Sequence, residues 1–381
     1  MGMADRETQF VAKIASGVAG LNAQAWDRIA GAEPFLSHAF LSSLEDSHSV
    51  GPGTGWTSAP ILVEDEGSHL VAAAPAYLKT HSQGEYVFDH GWADAWQRAG
   101  GEYYPKLQVA VPFTPVPGPR LLGGRPQQLL AAIEAVTVQN DLSSAHITFI
   151  DEAGAAQCER RDWLIRLGLQ YHWFNRGYGS FEDFLGALSS RKRKTIRKER
   201  AAAVAGLEIR ALRGAEIGGV EWDAMWRFYQ DTGSRKWGRP YLTRRFFDLA
   251  AERMGESLLL FLALREGRPI AGALNVIGPD TLYGRYWGTI DDAPFLHFEL
   301  CYYQAIEWAC RHGLKSVQAG AQGEHKIARG YEPVITRSAH FLPNRSFRAA
   351  VADFLEQERA AVLAEVDWLR RDLPYRSSSS A

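Results

Sequence analysis

Two runs of three β-strand patterns, separated by about half of the 381-residue chain, constrain the fold most strongly. The first run covers residues 59–92, and the second covers residues 257–288. Both runs place a glycine turn before the middle strand and end the third strand on a Gly–Trp pair, Gly91-Trp92 or Trp287-Gly288. A repeated supersecondary unit of this kind is typical of an internal duplication. The sequence therefore predicts two related halves.

Helical patterns alternate with these strands. The clearest covers residues 297–312, where apolar side chains recur at helical spacing and Gly313 follows the last turn. Another helix is predicted near residues 156–167. Helices interleaved with antiparallel strand runs indicate a mixed α/β (α+β) fold. We expect an N-terminal domain over residues 1–175, a C-terminal domain over residues 176–373 that includes a basic helix at 190–205, and a disordered tail over residues 374–381.

Composition excludes several broad classes of protein. The hydrophobic content of 46% excludes global disorder. A net charge of −2 argues against wholesale coating of nucleic acid or of an anionic membrane, although local patches stay possible in principle. The longest unbroken apolar stretch, Leu258–Leu264, is too short to span a bilayer, and the first ten residues show no secretory pattern. Three cysteines do not make a complete disulfide framework, so we expect a reducing, cytoplasmic location.

One predicted helix is strongly basic. Residues 191–200 carry seven Lys or Arg side chains and one acid, Glu199. Like charges spaced by one helical turn repel each other, so an unbalanced run favours a polyanionic partner such as a nucleotide, a coenzyme A, a tRNA backbone or a lipid head group. The candidate phosphate contacts are Arg193, Lys194, Arg197 and Lys198. The alternative is a basic surface helix that only aids solubility.

A glycine-rich loop, Gly320–Pro333, directly follows a predicted strand at residues 315–319. Sites in α/β sheets concentrate at strand ends. His325 can exchange a proton near neutral pH, while Lys326 and Arg329 can face one anion. The alternative is a glycine-punctuated turn followed by a solvated helix.

A second candidate site lies in the first half, where Asp89, Trp92 and Tyr104 could line a pocket. Aromatic clusters of this kind more often form core with a polar rim. The sequence contains neither a Walker A motif nor HExxH, and no metal site is predicted.

These segments give the chain a family resemblance. The chain resembles a bacterial family of N-acyltransferases known as FemAB-like or peptidoglycan-biosynthesis proteins, within the GNAT superfamily. The segments that carry the resemblance are Ser82–Trp92, Tyr103–Leu122, Lys192–Lys198, Gly320–Pro333 and Ser338–His340. The resemblance implies tandem duplicated GNAT-like (acyl-CoA N-acyltransferase-type) domains around a shared cleft. It also implies transfer of an acyl or aminoacyl group from acyl-CoA or aminoacyl-tRNA to a primary amine, such as that of a cell-wall precursor. Both donors are co-substrates, and no tightly bound cofactor is expected.

One departure from the GNAT pattern bears on the donor. GNAT enzymes usually hold the pyrophosphate of coenzyme A in a glycine-containing loop, whereas the matching Thr289–His297 lacks glycine and carries two acids. Acids repel phosphate at a helix N-terminus, which favours aminoacyl-tRNA as donor with the basic helix supplying phosphate contacts. In this scheme Lys326 lies near the reacting carbonyl or a donor phosphate, and His325 relays a proton. The predicted substrate contacts are Arg329, Tyr331, Tyr286, Trp287, Asp89, Trp92 and Tyr104.

Two other functions remain open on the sequence. A GNAT-like protein that has lost turnover could bind a phosphorylated ligand, tRNA or a membrane surface, and the missing glycine loop favours this alternative. The aromatic content also fits an N-acyltransferase acting on a lipid or a polyamine. The oligomeric state is left open.

Overall fold

The computed structural model describes residues 10–237, 240–291, 293–321 and 323–376. The chain divides into two compact units after Gly168, Ile335 and Ala361. Within the described residues, the first unit comprises 10–168 and 336–361, and the second comprises 169–335 and 362–376. The predicted boundary at residue 175 falls a few residues after the first division. The prediction of one continuous C-terminal domain differs from this division, because the chain returns to the first unit between residues 336 and 361.

The elements up to the first division and across it are β1 (Val11–Ile14), α1 (Ala23–Ala30), α2 (His38–Asp46), β2 (Trp56–Ser58), β3 (Ile61–Glu64), β4 (Leu70–Ala74), β5 (Ala76–Lys79), α3 (His90–Arg98), β6 (Lys106–Val109), β7 (Leu122–Gly123), α4 (Pro126–Gln139), β8 (Ala145–Ile150), α5 (Glu152–Glu159) and β9 (Leu164–Phe174). The elements that follow are α6 (Phe181–Ala187), α7 (Ser190–Ala203), β10 (Glu208–Arg213), α8 (Gly219–Trp237), α9 (Arg244–Met254), β11 (Leu258–Arg265), β12 (Arg268–Ile277), β13 (Thr281–Thr289), α10 (Leu296–Phe298), α11 (Gln304–Arg311), β14 (Ser316–Ala319), β15 (Glu332–Phe341) and α12 (Arg345–Arg371).

In the first unit, the sheet runs in the order β15-β8-β6-β5-β2, and a smaller sheet runs in the order β1-β3-β4-β7. β6 and β8 are parallel, with Leu107 opposite Ala145, and the other pairs are antiparallel. Leu107, Ile147 and neighbouring apolar side chains pack against Leu129 and Ile133 of α4 in a buried cluster. This cluster covers one face of the larger sheet.

In the second unit, the strand order is β10-β11-β12-β13-β14-β9. β13 and β14 are parallel, whereas the other pairs are antiparallel. The core includes Phe184 and Leu185 of α6, Ile306 and Ala309 of α11, and Phe261 of β11. A single turn of π-helix, Glu299–Tyr303, separates α10 from α11 within the predicted helix at 297–312.

The second predicted strand run is confirmed as β11, β12 and β13, but the first run is wrong in its third strand. Residues 85–89 form no strand, and helix α3 begins at His90. The reason is burial of charge, because the Glu85 and Asp89 carboxylates bend inward onto Lys106. The predicted helix at 156–167 is also wrong, since α5 ends at Glu159 and β9 begins at Leu164.

The C-terminal part of the chain corrects one prediction. The disordered tail expected from residue 374 is wrong for residues 374–376, because Tyr375 pairs with Leu188 and its hydroxyl donates to the Gly330 carbonyl at 2.6 Å. Residues 377–381 lie outside the described residues. Within the described residues, each helix is too short or too polar to cross a membrane.

Candidate functional site

A gap between β13 and β14 creates a pocket in the second unit. The two strands pair from Thr281 opposite Ser316 to Gly284 opposite Ala319, where β14 ends and β13 continues. Arg285 is an extra residue relative to β12 at this level, so β13 also bulges there. A pocket of about 100 Å³ results. Ligands in open sheets bind where neighbouring strands diverge, so this gap is a candidate site.

The pocket walls include two of the predicted substrate contacts. Tyr286 and Trp287 of β13 line it together with Tyr302 and with Gly320, the first residue after β14. Tyr331, also predicted, is fully buried and packs edge-on against Tyr302 with ring centroids 5.5 Å apart. Tyr331 therefore supports the wall from behind and does not line the pocket.

Lys326 lies in the loop that follows β14, residues 320–331, which we call the Lys326 loop. The side chain is 1% exposed, and Nζ donates to the Gly320 carbonyl at 2.7 Å. Gly320 and Gly323, with φ of +76° and +117°, allow the backbone to turn back over the side chain. In the described part of the chain no carboxylate pairs with Nζ, and burial lowers the pKa of Lys326 to about 8. At pH 7 it is roughly 90% protonated and forms an uncompensated cation beside the pocket.

His325 precedes this lysine and lies at the surface. Its Nε2 is 2.9 Å from the hydroxyl of Tyr302, which lines the pocket. Partial burial, then the charges of Arg329 and Lys326, lower the pKa of His325 below its usual 6.5. The imidazole is therefore neutral at pH 7 and can accept a proton.

Arg329 anchors the Lys326 loop to the basic helix α7. Its guanidinium pairs with Glu199 of α7 at 2.9 Å, lies 3.5 Å from the ring centroid of Phe298 and donates to the His325 carbonyl at 2.8 Å. Tyr303 donates to the same Glu199 carboxylate. Arg329 thus connects the Lys326 loop to α7. Its predicted contact with substrate stays a prediction.

The remaining basic side chains of α7 differ in their partners. Arg200 is held by Glu299 and Glu307, and Arg197 pairs with Glu182 at 2.5 Å on the surface. Lys194 and Lys198 are exposed, and neither forms an ion pair within the described residues. Arg193 donates to the Ser190 hydroxyl at 3.3 Å. The outer side of α7 therefore keeps a positive charge that α7 itself does not neutralise.

The first unit contains a second unusual group of side chains. Along β5, β6, β8 and β15 the residues that face away from the apolar core are polar and buried: Tyr77, Lys79, Lys106, Gln108, His146, Thr148, Ser338 and His340. Burying ionisable groups costs free energy unless they are paired. A buried polar sheet face therefore needs internal partners.

The ammonium of Lys106 is the main partner of the buried carboxylates. Its Nζ contacts Asp89 and lies 2.8 Å from both Glu85 Oε2 and Ser82 Oγ. Asp89 also accepts a hydrogen bond from the Tyr103 hydroxyl at 2.7 Å, and the Ser82 hydroxyl is 2.8 Å from that of Tyr104. Trp92 packs edge-on against His340, whose Nδ1 is 2.7 Å from His146 Nδ1. Asp89 and Tyr104, two of the three candidate pocket residues, thus belong to one hydrogen-bonded cluster, which we call the polar cluster. Trp92, the third, packs against it without a hydrogen bond.

Burial perturbs the ionisable groups of the polar cluster. It raises the pKa of Glu85 to about 7 and lowers the pKa of Lys79 to about 7. The pKa of His146 falls to about 3 for the same reason. Glu85 Oε1 and Asp89 Oδ1 have no hydrogen-bond partner among the described residues. The two carboxylates therefore share the ammonium of Lys106, and Lys79 Nζ lies 3.8 Å from Glu85 Oε1 as a second, more distant cation.

Comparison with known proteins identifies the family. Residues 17–377 match the profile of the FemAB-like family, which is described as acting in peptidoglycan biosynthesis or recognition. The chain belongs to the FemAB-like family. No curated protein matches it.

Solved structures agree with this assignment at the level of fold. FemX matches with 11% identity and a TM-score of 0.53, over 87% of this chain and 98% of that one. The C-terminal DUF2156 domain of an Agrobacterium fabrum protein described as a lysylphosphatidylglycerol synthetase matches with 10% identity and a TM-score of 0.50, over 88% and 95%. A Bacteroides thetaiotaomicron protein of unknown function matches with 10% identity and a TM-score of 0.51, over 87% and 99%. The predicted mixed α/β class with tandem GNAT-like domains is confirmed.

Several members of both sites escaped the sequence-based prediction. Lys79, Glu85, Lys106 and His146 were not predicted, although Glu85 and Lys106 lie inside segments that carry the family resemblance. Tyr302, the partner of His325, resembled one more apolar position on a helix. A signal was present in the strands, where polar residues alternate with apolar ones, as in Lys106 and Gln108 of β6 and in His146 and Thr148 of β8. The sequence does not show that this polar face is covered.

Proposed function

We propose that this FemAB-like protein transfers an acyl or aminoacyl group from aminoacyl-tRNA or acyl-CoA to the primary amine of a cell-wall precursor, in the cytoplasm. The observation that carries the proposal is the buried, unpaired ammonium of Lys326 beside the gap between β13 and β14. A cation held there has no competing carboxylate. Its Nζ lies one hydrogen bond from Gly320, which lines the pocket, so its charge would favour an oxyanion that develops there. Preorganised charge of this kind contributes a rate factor of roughly 10²–10³ per donor group.

The proton route follows from the neighbouring side chains. The attacking amine forms a bond to the donor carbonyl carbon and must lose a proton, which neutral His325 accepts. When the tetrahedral intermediate collapses, the bond to the ester oxygen or thioester sulfur breaks. The proton then passes from His325 to that leaving atom, so the step is balanced without a metal or a redox partner.

The surface around His325 suits an amine acceptor. His325 lines an open groove of about 480 Å³ together with Tyr171, Glu324 and Glu365. Two carboxylates favour the approach of the acceptor as an ammonium group, which releases one proton to solvent before it attacks as the neutral amine. In this proposal the donor carbonyl therefore lies near Lys326, and the acceptor amine lies in the acidic groove.

The basic helix supports a phosphate-rich donor. Arg329 joins Glu199 of α7 to the Lys326 loop, so that α7 is fixed beside the proposed transfer site. Lys194 and Lys198, with Arg193 and Arg197, are the proposed phosphate contacts. Aminoacyl-tRNA is preferred over acyl-CoA because the segment before α10 lacks the usual glycine loop.

A donor panel tests this function. The protein is incubated with radiolabelled aminoacyl-tRNAs or acyl-CoAs and an amine-bearing cell-wall peptide, and amide product is separated by chromatography. The proposal requires labelled amide with at least one donor. Donor binding without amide formation across the panel would contradict it and would support the alternative of a binding protein without turnover.

A further inference from the structure

An apolar groove in the first unit lies outside both sites described above. It runs between α3 and the first half of α12 and encloses about 470 Å³. Sites for small molecules typically enclose about 300–1,000 Å³ and are lined by apolar and aromatic side chains. The groove meets both conditions. Trp92, which packs against His340 of the polar cluster, is one of its lining residues, whereas no residue of the Lys326 loop lines it.

The walls of the groove give it an elongated shape. On α3 its lining residues are Gly91, Trp92, Ala95 and Trp96, and Ala99 follows the last turn. Gly91, Ala95 and Ala99 are spaced at i, i+4 and i+8 and form a strip of small residues on one face, with the two tryptophans beside it. Eight residues of helix span about 12 Å. Ala350 and Phe354 form the opposite wall on α12, where Phe347 stacks on Trp96 with ring centroids 4.7 Å apart. The small side chains of α3 thus leave a long, shallow trough.

The charge in the groove is compensated internally. Arg166 is the lining residue with a formal charge, and both oxygens of Glu358 accept its hydrogen bonds at 2.8 and 2.6 Å. Its Nη1 donates to the Phe88 carbonyl at 2.7 Å, and its guanidinium lies 5.0 Å from the ring centroid of Trp92. An anionic ligand therefore gains little from Arg166, and the groove favours an uncharged, apolar occupant.

Two aromatic side chains flank the opening and remain half exposed. Phe88 is 54% exposed and Phe354 is 47% exposed. A ligand in the groove would remove apolar area of both rings from water, which is favourable in proportion to that area.

We propose that this groove binds the alkyl chain of a single-chain lipid amphiphile, with the head group left in water. The length of the trough suits a linear chain better than a fused ring. The alanine face on α3 lets the chain approach the helix backbone, and the rings on α12 cover it. The inference rests on the geometry of the first unit and is independent of the proposed transfer reaction.

Titration with alkyl maltosides below their micelle concentrations tests the proposal. Hexyl, octyl and decyl maltoside share a neutral head group, and binding to the full chain is followed by isothermal titration calorimetry. Each methylene buried in the groove tightens binding by roughly fourfold, so two added carbons give about 16-fold. Naphthalene serves as a probe for a ring-shaped site.

Filling variants connect binding to the groove. Ala350→Trp fills the trough from α12 and is expected to weaken decyl maltoside binding at least tenfold, and Ala95→Phe does the same from α3. Ala349→Trp is the matched control, because Ala349 is exposed on α12 but does not line the groove. Thermal unfolding of each variant verifies that it is folded.

Three results would overturn the proposal. These are affinity that does not depend on chain length, equal binding by the Ala350→Trp and Ala349→Trp variants, and binding of naphthalene in preference to decyl maltoside. Sedimentation equilibrium tests whether a second copy of this chain occupies the groove. If Ala350→Trp dissociated an oligomer that wild type forms, the groove would be an interface between copies of this chain.

Discussion

Replacing Lys326 by methionine should stabilise the protein at pH 7. The change keeps the length and apolar stem of the side chain but removes a charge that is 1% exposed. Burial lowers the pKa of Lys326 from 10.5 to about 8. At 1.36 kcal/mol per pKa unit, that shift corresponds to a cost of about 3 kcal/mol for burying the protonated lysine. Loss of the hydrogen bond to the Gly320 carbonyl offsets about 1 kcal/mol, so the expected net gain is about 2 kcal/mol.

The gain should depend on pH in one direction. Below pH 8 the lysine is protonated in both the folded and the unfolded states, and wild type carries the full penalty. Between pH 8 and pH 10.5 the folded state releases its proton first, so wild-type stability from this group rises with pH. The advantage of the methionine variant should therefore be near zero at about pH 10.

Urea denaturation at pH 7 and pH 10, followed by tryptophan fluorescence, measures this difference. Lys315→Met is the matched control, since Lys315 is 79% exposed and pairs with Asp280 at 3.1 Å on the surface. Such a surface pair contributes about 0–1 kcal/mol. A Lys326→Met variant that is no more stable than wild type at pH 7, or that differs equally at both pH values, would refute the reasoning.

Three further outcomes follow from the described contacts. Lys106→Met removes the ammonium that contacts both Glu85 and Asp89 and leaves only the more distant Lys79 near Glu85, so it should cost about 3–5 kcal/mol in urea denaturation. Adding Glu85→Gln and Asp89→Asn should recover much of this loss, and a fully stable single variant would contradict the reasoning. Glu199→Gln removes a charge-assisted hydrogen bond to Arg329 and should speed amide hydrogen exchange of α7 and of residues 324–329 by roughly 10- to 100-fold. Glu182→Gln, which breaks the exposed pair with Arg197, is the control and should leave that exchange unchanged. Equal exchange rates in the two variants would argue against Arg329 as an anchor. Joint Lys194→Gln and Lys198→Gln substitution should flatten the dependence of log affinity for tRNA on log salt by about 1.4–1.8, with Lys315→Gln as control, and an unchanged slope would exclude these two phosphate contacts.

Much of the second unit could be predicted from local pattern. The strands β11 to β13 are apolar runs separated by tight turns, and such signals depend on neighbours in sequence. The position of the Lys326 loop after β14 followed from one strand and its glycines.

The first unit was less predictable because its polar cluster depends on contacts distant in sequence. Lys106 and Gln108 alternate with Leu107 and Val109, a pattern typical of a strand with one face in water. The segment 82–89 instead covers that face. Its Glu85 and Asp89 carboxylates pair with the buried ammonium of Lys106, and this pairing prevents residues 85–92 from forming the strand that their pattern predicts. Helix α12 was missed altogether, although its 27 residues carry a clear helical pattern. The partners of Arg329 and Arg200 likewise lie about 100 residues away or more, so no local signal identifies them.

The central claim is that the ammonium of Lys326 stabilises acyl transfer. A single-turnover reaction at pH 7 with the donor selected from the panel, comparing wild type with Lys326→Met and Lys315→Met, tests it most directly. The account predicts a fall of roughly 10²–10³ in the transfer rate for Lys326→Met, in a variant that is at least as stable as wild type, with Lys315→Met unchanged. Transfer at the wild-type rate by folded Lys326→Met would contradict it.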